Sequence, residues 1–243
     1  MPIDLVCLDA DDTLWHNMRF FEAAEQAFAD LVAPFAGAPA ARARMETIEI
    51  RNLKRYGYGA KSFTLSMIET ALELAGDDLP AAAVARILDI GRVLLDHPVE
   101  LLDSVGDTLE TLAGRAKLVL VTKGDLLHQE VKLAASGLGE LFTGVEIVSD
   151  KRAETFVRVF HRYGCAPDRA VMAGDSMRSD VLPALEAGAW GAFVPTARAW
   201  SHEVAEAPVG HARFRRLERL AELPGWVAEI GCGVSSVISY GLI

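Results

Sequence analysis

A short apolar segment near the start of the chain runs directly into a cluster of acidic residues. Leu5–Leu8 reads Leu-Val-Cys-Leu and is followed by Asp9, Asp11 and Asp12. Four residues are too few for a helix of their own, and their composition is typical of a strand that is covered on both faces. The acids have two interpretations. They form a solvated turn, which aspartate favours, or a site where a cation or shared protons compensate their repulsion. These residues alone leave both open.

The composition argues against several classes of protein. The chain has 243 residues, of which 51% are hydrophobic, and a formal net charge of −10 at pH 7. The negative charge disfavours nucleic acid and anionic membrane surfaces as partners. Three scattered cysteines without a Cys-x-x-Cys pair argue against a disulfide framework or a zinc site. Because neither a signal-peptide pattern nor an apolar run of about 20 residues is present, we expect a soluble, cytoplasmic protein.

Residues 16–100 carry a helical pattern without a strand signal. Apolar side chains recur at three- and four-residue spacing, and breaks containing glycine or proline separate the periodic segments. The predicted helices are Arg19–Val32, Ala40–Arg55, Ser62–Leu74 and Ala81–Leu95. A helical block directly after the first strand lies beside whatever the acidic end of that strand binds. We therefore expect it to occupy the position of a lid.

From residue 101 onward, predicted helices alternate with predicted strands. The strands are Lys117–Val121, Gly144–Val148, Ala170–Ala173 and Trp190–Val194. The helices are Val105–Leu112, Leu126–Ala135, Arg152–Tyr163, Val181–Ala187 and Phe214–Glu222. This alternation predicts an α/β fold, a doubly wound parallel sheet with right-handed crossovers. We expect a core domain of residues 1–15 and 101–243 and an inserted all-helical domain of residues 16–100, with no assignable role for the apolar segment 231–243.

Polar residues follow four of the predicted strands. In chain order they are Asp9 with Asp11, Thr122, Lys151, and Asp175 with Asp180. The carboxyl ends of parallel strands meet at one edge of a sheet, where these groups could hold a divalent cation and an oxyanion side by side. Taken singly, Thr122 could satisfy backbone groups, and Asp175 or Asp180 could cap the next helix. The coincidence of four such signals favours a binding site.

Lys151 is the residue in this set that is hardest to explain without a ligand. Ser149 or Asp150 is a typical N-cap residue, which would place Lys151 and Arg152 in the first turn of a helix. A cation there opposes the helix dipole by about 0.3–1 kcal/mol. We therefore expect Lys151 to hold an anion.

The motifs, in this order, resemble those of the haloacid dehalogenase superfamily. They are the segment Asp-Ala-Asp-Asp-Thr-Leu from Asp9, Thr-Lys-Gly from Thr122, Lys151, and Gly-Asp-Ser-Met-Arg-Ser-Asp from Gly174. The resemblance covers residues 1–15 and 101–195, and it implies a Rossmann-like core. The helical block between the first two motifs resembles the C1-type cap of the phosphatase-like branch of that superfamily.

The resemblance implies a phosphohydrolase with two catalytic aspartates. Asp9 would be the nucleophile that attacks phosphorus and forms an aspartyl-phosphate. Asp11 would first protonate the leaving alcohol and then activate the water that hydrolyses the intermediate. The two acids need opposite protonation states. We therefore expect Asp9 to stay ionised beside a metal, and Asp11 to be held protonated by its acidic neighbours.

The resemblance also implies how a metal and a phosphoryl group bind. The expected metal is Mg²⁺, a hard cation that takes oxygen ligands beside phosphate. Its ligands would be the carboxylates of Asp9 and Asp175 and the main-chain carbonyl of Asp11, with Asp180 orienting a ligand or a water from behind. The groups expected on the phosphoryl oxygens are Thr122, Lys123 and Lys151.

Asp11 also separates the reactions that remain open. Dehalogenases and phosphonatases that resemble this chain at Asp9 lack an acid two residues later, so Asp11 favours phosphoryl transfer. A phosphomutase keeps both aspartates and stays a possible alternative. A response-regulator receiver would carry its phosphorylated aspartate on the third strand, where this chain has Lys151. A regulatory module that only binds a phosphometabolite would have degraded motifs, and none of the key positions is degraded.

The helical block is expected to select the substrate. Tyr56, Tyr58 and Lys61 supply aromatic and basic groups around a glycine-containing loop. Such groups suit a small phosphorylated metabolite such as a sugar phosphate, phosphoglycolate or a nucleoside monophosphate, and the sequence does not choose among them. The sequence does not indicate an oligomeric state either, and it leaves Asp12 with no role beyond capping the turn.

Overall fold

Six parallel strands form one sheet in the computed structural model, which describes residues 2–232. The strands are β1 (Leu5–Leu8), β2 (Lys117–Lys123), β3 (Gly144–Val148), β4 (Ala170–Gly174), β5 (Trp190–Phe193) and β6 (Phe214–Arg216). Their spatial order is β3-β2-β1-β4-β5-β6. Strand β1 therefore lies between β2 and β4, and Leu8 at its end pairs with Leu120 on one side and with Ala173 on the other.

Nine α-helices accompany the sheet within the described residues. Four of them lie in the region predicted to be helical, namely α1 (Met18–Val32), α2 (Ala38–Tyr56), α3 (Ala60–Ala75) and α4 (Ala81–Leu95). The remaining five are α5 (Val105–Ala113), α6 (Leu126–Ser136), α7 (Ala153–Arg162), α8 (Leu182–Glu186) and α9 (Leu223–Cys232). None of the helices between residues 2 and 232 has the length and hydropathy needed to cross a bilayer.

Both faces of the sheet are buried, which explains the continuous apolar composition of the central strand. Val6 and Leu8 of β1 belong to a cluster with residues of α5 and α9, including Leu109. Leu5 and Cys7 point to the opposite face, where their cluster includes Phe156 of α7. Successive side chains of a strand alternate between faces, so helices on both sides are needed to bury all four residues. The predicted doubly wound α/β fold is confirmed.

Helices α1–α4, which we call the helical insertion, have a hydrophobic core of their own. Its buried side chains include Phe28, Met45, Met67 and Ile87, one from each helix. The rest of the described chain, which contains the sheet, is called the sheet domain. The two segments that connect it to the insertion are adjacent. His16 donates its N–H to the carbonyl of Glu100 at 3.0 Å, and Trp15 forms a bridge with Leu101. The insertion is thus joined to the rest of the chain by two paired connections.

The predicted helix Phe214–Glu222 is wrong. Phe214–Arg216 is the edge strand β6, which pairs in parallel with β5, and α9 begins only at Leu223. A three-residue strand is too short to show alternation, and Pro224 suits the first turn of a helix better than its end. Of the segment 231–243, only Gly231 and Cys232 lie within the described residues, where they end α9.

Helix α8 is shorter than the predicted helix Val181–Ala187. Met177–Val181 form a single wide π-helical turn before it, in which Val181 donates its N–H to the carbonyl of Ser176 at 3.2 Å. The side chain of Ser176 starts this turn by accepting the N–H of Ser179 at 2.9 Å. Sequence periodicity cannot reveal a single wide turn, although such turns are frequent at functional sites.

Gly91 provides a test of how closely the helices of the insertion pack. A Cβ atom at Gly91 in α4 would collide with the side chain of Thr64 in α3, whose Cγ2 would lie 2.8 Å away. We expect Gly91→Ala to lower the free energy of unfolding by about 1 kcal/mol, since overpacking outweighs the gain in helix propensity. Gly106→Ala in α5, where no atom lies within 4 Å, is the control and should not destabilise. Urea denaturation measures the free energy of unfolding of both variants. Equal changes in the two variants would contradict close packing of α3 against α4 at Gly91.

Candidate active site

The carboxyl ends of the four adjacent strands β3, β2, β1 and β4 bring the predicted acids and lysine together. Asp9 follows β1 and is 7% exposed, and its carboxylate forms an ion pair with Lys151. Lys151 also contacts Asp180 at 2.6 Å between Nζ and Oδ1. Carboxylate oxygens of Asp9, Asp175 and Asp180 all lie within 4.8 Å of one another. Three acids and one ammonium group therefore share one small, largely buried volume.

Lys151 lies in the loop before α7 and not in the first turn of a helix. Helix α7 begins at Ala153, with Arg152 in the N-cap position and no side-chain cap, so the expected N-cap at Ser149 or Asp150 is wrong. The argument from the helix dipole therefore does not apply to Lys151. Its 3% exposure and its two carboxylate partners explain its position instead, because a buried ammonium group requires opposite charges.

Burial and mutual repulsion shift the pKa values of the acids in this cluster. Burial raises the pKa of Asp9, and the nearby Asp180 adds to this while Lys151 opposes it. Burial and repulsion from Asp9 and Asp180 raise the pKa of Asp175 well above its usual range. Burial alone would lower the pKa of Lys151, but the carboxylates of Asp180 and Asp9 outweigh it and raise that pKa. A cation beside Asp9 and Asp175 would relieve the repulsion that remains.

The donor set suits a hard divalent cation. Asp9, Asp175 and Asp180 offer only carboxylate oxygens, the ligand type that Mg²⁺ and Ca²⁺ prefer. Among residues 2–232 the Asp175 carboxylate accepts no hydrogen bond and forms no ion pair, so its oxygens remain available. Asp180, by contrast, uses one oxygen for Lys151 and the other for the N–H of Ser176 at 3.0 Å.

Two residues of the first motif fix the loop that carries Asp9. Thr13 donates its hydroxyl to Oδ2 of Asp9 at 3.2 Å and accepts the N–H of Asp175 at 3.1 Å, which links the ends of β1 and β4. Asp12 has a positive φ of 58° and accepts the N–H groups of Asn17 and Met18 at 3.0 and 2.8 Å. Asp12 therefore caps the start of α1, and Thr13 is a site residue that the sequence analysis did not single out.

Asp11 lies on the cavity but is held as a carboxylate. Its oxygens accept hydrogen bonds from Trp15 Nε1 at 2.8 Å, Gln129 Nε2 at 2.9 Å and Lys132 Nζ at 2.5 Å. Burial alone would raise the pKa of Asp11, but Lys132, Gln129 and Trp15 outweigh it and lower that pKa. The expectation that acidic neighbours keep Asp11 protonated is therefore wrong for this conformation, because the sequence did not place Lys132 beside it.

The end of β2 presents Thr122 and Lys123, and it introduces an unpredicted acid. Thr122 is 1% exposed and lines the cavity together with Lys123. Lys123 Nζ lies 2.6 Å from Glu203 Oε1 and 2.8 Å from the hydroxyl of Ser179. Burial would raise the pKa of Glu203, but Lys123, Ser176 and Ser179 outweigh it and lower the pKa to about 2. No motif marks Glu203, which follows a loop of irregular sequence.

The helical insertion and the sheet domain together enclose a cavity of about 510 Å³. Of the three insertion residues predicted to meet a substrate, only Tyr58 lines it, with its ring centre 3.8 Å from Lys123 Nζ. Lys61 instead pairs with Asp125 at 2.9 Å. Tyr56 donates its hydroxyl to Glu69 at 3.2 Å on the surface of the insertion. Tyr56 and Lys61 are thus not among the residues that line the cavity.

Comparison with known proteins identifies the family of this chain. The model of the haloacid dehalogenase-like hydrolases matches residues 3–188. The chain belongs to this family. A solved haloacid dehalogenase-like hydrolase from Xanthomonas campestris is 38% identical to this hydrolase, with a TM-score of 0.86, and the alignment covers 95% of this chain and 93% of that chain.

Two further relatives of this hydrolase carry different activities in their names. N-acylneuraminate-9-phosphatase from Mus musculus is 26% identical over 148 residues, 58% of this chain and 57% of that enzyme, so the match spans little more than half its length. A 2-haloacid dehalogenase from Pseudomonas syringae pv. Tomato DC3000 is 22% identical, with a TM-score of 0.61 and coverage of 93% of this chain and 99% of that chain. The latter similarity shows the fold alone.

Glu203 gives a pH-dependent test of the site's charge network. Because its folded pKa of about 2 lies below the unfolded value of 4.5, ionised Glu203 stabilises the fold above about pH 4.5, and this contribution is lost as the pH falls through 2. We expect Glu203→Gln to lower the free energy of unfolding by about 2–3 kcal/mol at pH 7 and by half of that or less at pH 3. Urea unfolding at both pH values measures this, with the exposed Glu206→Gln as control. A loss that does not depend on pH would contradict the assignment.

Proposed function

We propose that this protein is a Mg²⁺-dependent phosphohydrolase that hydrolyses a small phosphomonoester through an aspartyl-phosphate on Asp9. The observation that carries the proposal is the placement of Asp9 at the end of the central strand. There it is paired with Lys151, shares a cluster with Asp175, and is followed two residues later by the acid Asp11. The similarity to a mouse phosphatase supports the same reaction class.

The contacts of Asp9 suit a positioned nucleophile. One carboxylate oxygen is held by Lys151 and the other by the hydroxyl of Thr13, so the group is oriented before a substrate enters. In the first step an oxygen of Asp9 would attack phosphorus, the bond from phosphorus to the leaving oxygen would break, and that oxygen would take a proton from Asp11. In the second step Asp11 would accept a proton from water as the water attacks the phosphorus of the aspartyl-phosphate. The bond between phosphorus and the Asp9 oxygen would break, which releases inorganic phosphate and restores the Asp9 carboxylate.

Ammonium and hydroxyl groups at the strand ends would stabilise the negative charge on the transferred phosphoryl oxygens. Lys151 Nζ already lies against Asp9, and Thr122, whose hydroxyl donates to the carbonyl of Lys123 at 3.2 Å, lines the same cavity. We assign both to the phosphoryl oxygens. Lys123 would contribute through its main chain, because its ammonium group is engaged by Glu203 and Ser179.

The metal site in this proposal uses the carboxylates of Asp9 and Asp175 and the main-chain carbonyl of Asp11. Asp180 would hold Lys151 and the turn at Ser176 in place, because both of its oxygens are already engaged. Mg²⁺ would supply neutralisation of the phosphate charge and orientation of the phosphoryl group for attack at phosphorus.

Asp11 distinguishes this reaction from dehalogenation, which the shared fold does not exclude. Its low pKa in the present conformation gives it the form of a base, suited to the second step. To protonate a leaving alcohol it has to bind a proton, which requires weaker contacts with Lys132 and Gln129. We propose that opening or closing of the helical insertion changes these contacts, because Lys132 also touches Asn17 at the entrance to α1.

Replacement of the proposed nucleophile is the first test of the reaction. We expect Asp9→Asn to reduce release of inorganic phosphate from p-nitrophenyl phosphate by at least about 10³-fold, because the amide cannot form an acyl-phosphate. The fold should persist, since Asn keeps the shape of Asp9. Acid-quenched wild-type protein should carry a phosphoryl group on Asp9, detectable by mass spectrometry. Near-normal turnover by Asp9→Asn would refute the assignment, and Asp103→Asn on the surface serves as control.

Metal dependence is tested with and without turnover. We expect a chelator to abolish phosphate release from a panel of phosphomonoesters and added Mg²⁺ to restore it. Mg²⁺ alone should raise the melting temperature of the wild-type protein, because it relieves the repulsion between Asp9 and Asp175. Asp175→Asn should lose most of this shift, whereas Asp103→Asn should keep it. Full activity in chelator would refute the metal proposal.

A further inference from the structure

The part of the cavity formed by the helical insertion is strongly acidic. Its charged side chains are four glutamates and one arginine, namely Glu22, Glu25, Glu46, Glu49 and Arg42. Glu22 and Glu25 are three residues apart on α1. Arg42, Glu46 and Glu49 follow one another on α2 at spacings of four and three residues. Such spacings place side chains on the same face of a helix. This surface faces the cavity that also contains Asp9 and Lys151.

Three of these glutamates have partners, and the fourth has none. Glu22 pairs with Arg198, Glu25 lies 3.7 Å from Arg42, and Glu46 accepts a hydrogen bond from Ser201 at 2.5 Å. Glu49 has no ion pair or hydrogen bond to any other residue between 2 and 232. Burial and repulsion from Glu25 and Glu46 raise the pKa of Glu49 to about 7. A carboxyl group in this setting is stabilised by a cation that binds beside it.

Buried polar atoms around the same cavity independently indicate a ligand. Ser62 in α3 is 4% exposed, and its hydroxyl oxygen has no hydrogen-bond partner in the described part of the chain. On the sheet side, His128 Nε2 and Gln129 Oε1 also lack a partner, and these residues are 7% and 4% exposed. All three residues line the cavity. Because buried polar groups are normally hydrogen-bonded, the missing partners are expected on a polar ligand with several donors and acceptors.

We propose that the leaving alcohol of the substrate carries an ammonium group that Glu49 binds, and hydroxyl groups that meet Ser62, His128 and Gln129. The substrate class is therefore a phosphorylated amino sugar or a polyhydroxylated amine of similar size. This inference rests on the proposed phosphohydrolase function, which supplies the phosphoryl end of the same cavity. It disfavours a leaving alcohol with a carboxylate, such as glycolate, because that group would face the four glutamates.

The test compares three sugar phosphates, of which the first two differ only in the group at C2, and the third is an open-chain sugar acid oxidised at C1. Glucosamine 6-phosphate carries an ammonium group, glucose 6-phosphate carries a hydroxyl in its place, and 6-phosphogluconate carries a carboxylate. Isothermal titration of the Asp9→Asn protein with Mg²⁺ at pH 7 gives each Kd without turnover. We expect the ammonium ester to bind about tenfold more tightly than the hydroxyl ester, and the carboxylate ester to bind most weakly. Phosphate release by the wild-type protein should follow the same order in kcat/KM.

Glu49→Gln in the same background removes the charge and keeps the size of the side chain. We expect the preference for glucosamine 6-phosphate over glucose 6-phosphate to fall to within about threefold in this variant. Asp77→Asn, at an exposed position on the insertion outside the cavity, removes the same charge and should leave the preference unchanged. The ratio of the Kd values of these two esters does not change if a substitution weakens the binding of both esters equally.

The outcomes separate this inference from the proposed function. Equal binding of the first two esters, tightest binding of 6-phosphogluconate, or a preference that survives Glu49→Gln would overturn the ammonium inference. The same holds if none of the three esters binds while the wild-type protein hydrolyses other phosphomonoesters. An intact preference without phosphate release from any ester would overturn the proposed hydrolase and leave an amine-selective binding site. Absence of both binding and hydrolysis would overturn both.

Discussion

The ion pairs of Lys151 with Asp9 and Asp180 are the interaction on which the rest of the site depends. A buried ammonium group between two carboxylates is costly to form, but removal of Lys151 would leave two buried carboxylates without their cation. Lys151 and Asp9 come from the loops after β3 and β1, and Asp180 comes from the wide turn after β4, so the network also fixes how these strand ends approach one another. The same carboxylates repel Asp175, and this repulsion favours a metal cation.

The fold could be predicted from the sequence because its strongest signals are local. The four-residue strand β1, covered on both faces, and the helices with apolar periodicity each follow from short segments, and their alternation implies the doubly wound sheet. The edge strand Phe214–Arg216 could not be predicted, because its short pairing with β5 depends on a contact between segments distant in sequence. Edge strands carry little burial signal, so the apolar pattern there was compatible with a helix.

The residues of the candidate site could be predicted from the sequence better than their protonation states and ion-pair partners. The motifs placed Asp9, Lys151 and Asp175 at neighbouring strand ends, which follows from sheet topology. Protonation states depend on which side chains arrive from elsewhere. Lys132 from α6 lowers the pKa of Asp11, and Glu203 neutralises Lys123, yet neither lies in a motif. Side-chain pairing over such sequence distances is a property of the packed structure and leaves no periodic pattern.

The contacts between the helical insertion and the sheet domain bear on the proposed link between substrate selection and catalysis. The pairs Lys61–Asp125 and Glu22–Arg198 join the two parts at their surfaces, and surface ion pairs of this type contribute little stability. The insertion has a hydrophobic core of its own, so a movement of the insertion as a unit would leave the buried apolar area within it unchanged. A ligand that binds both Glu49 and the strand-end residues would add contacts only in the closed arrangement. Closure would then depend on the leaving group as well as on the phosphate, which is a physical basis for selectivity.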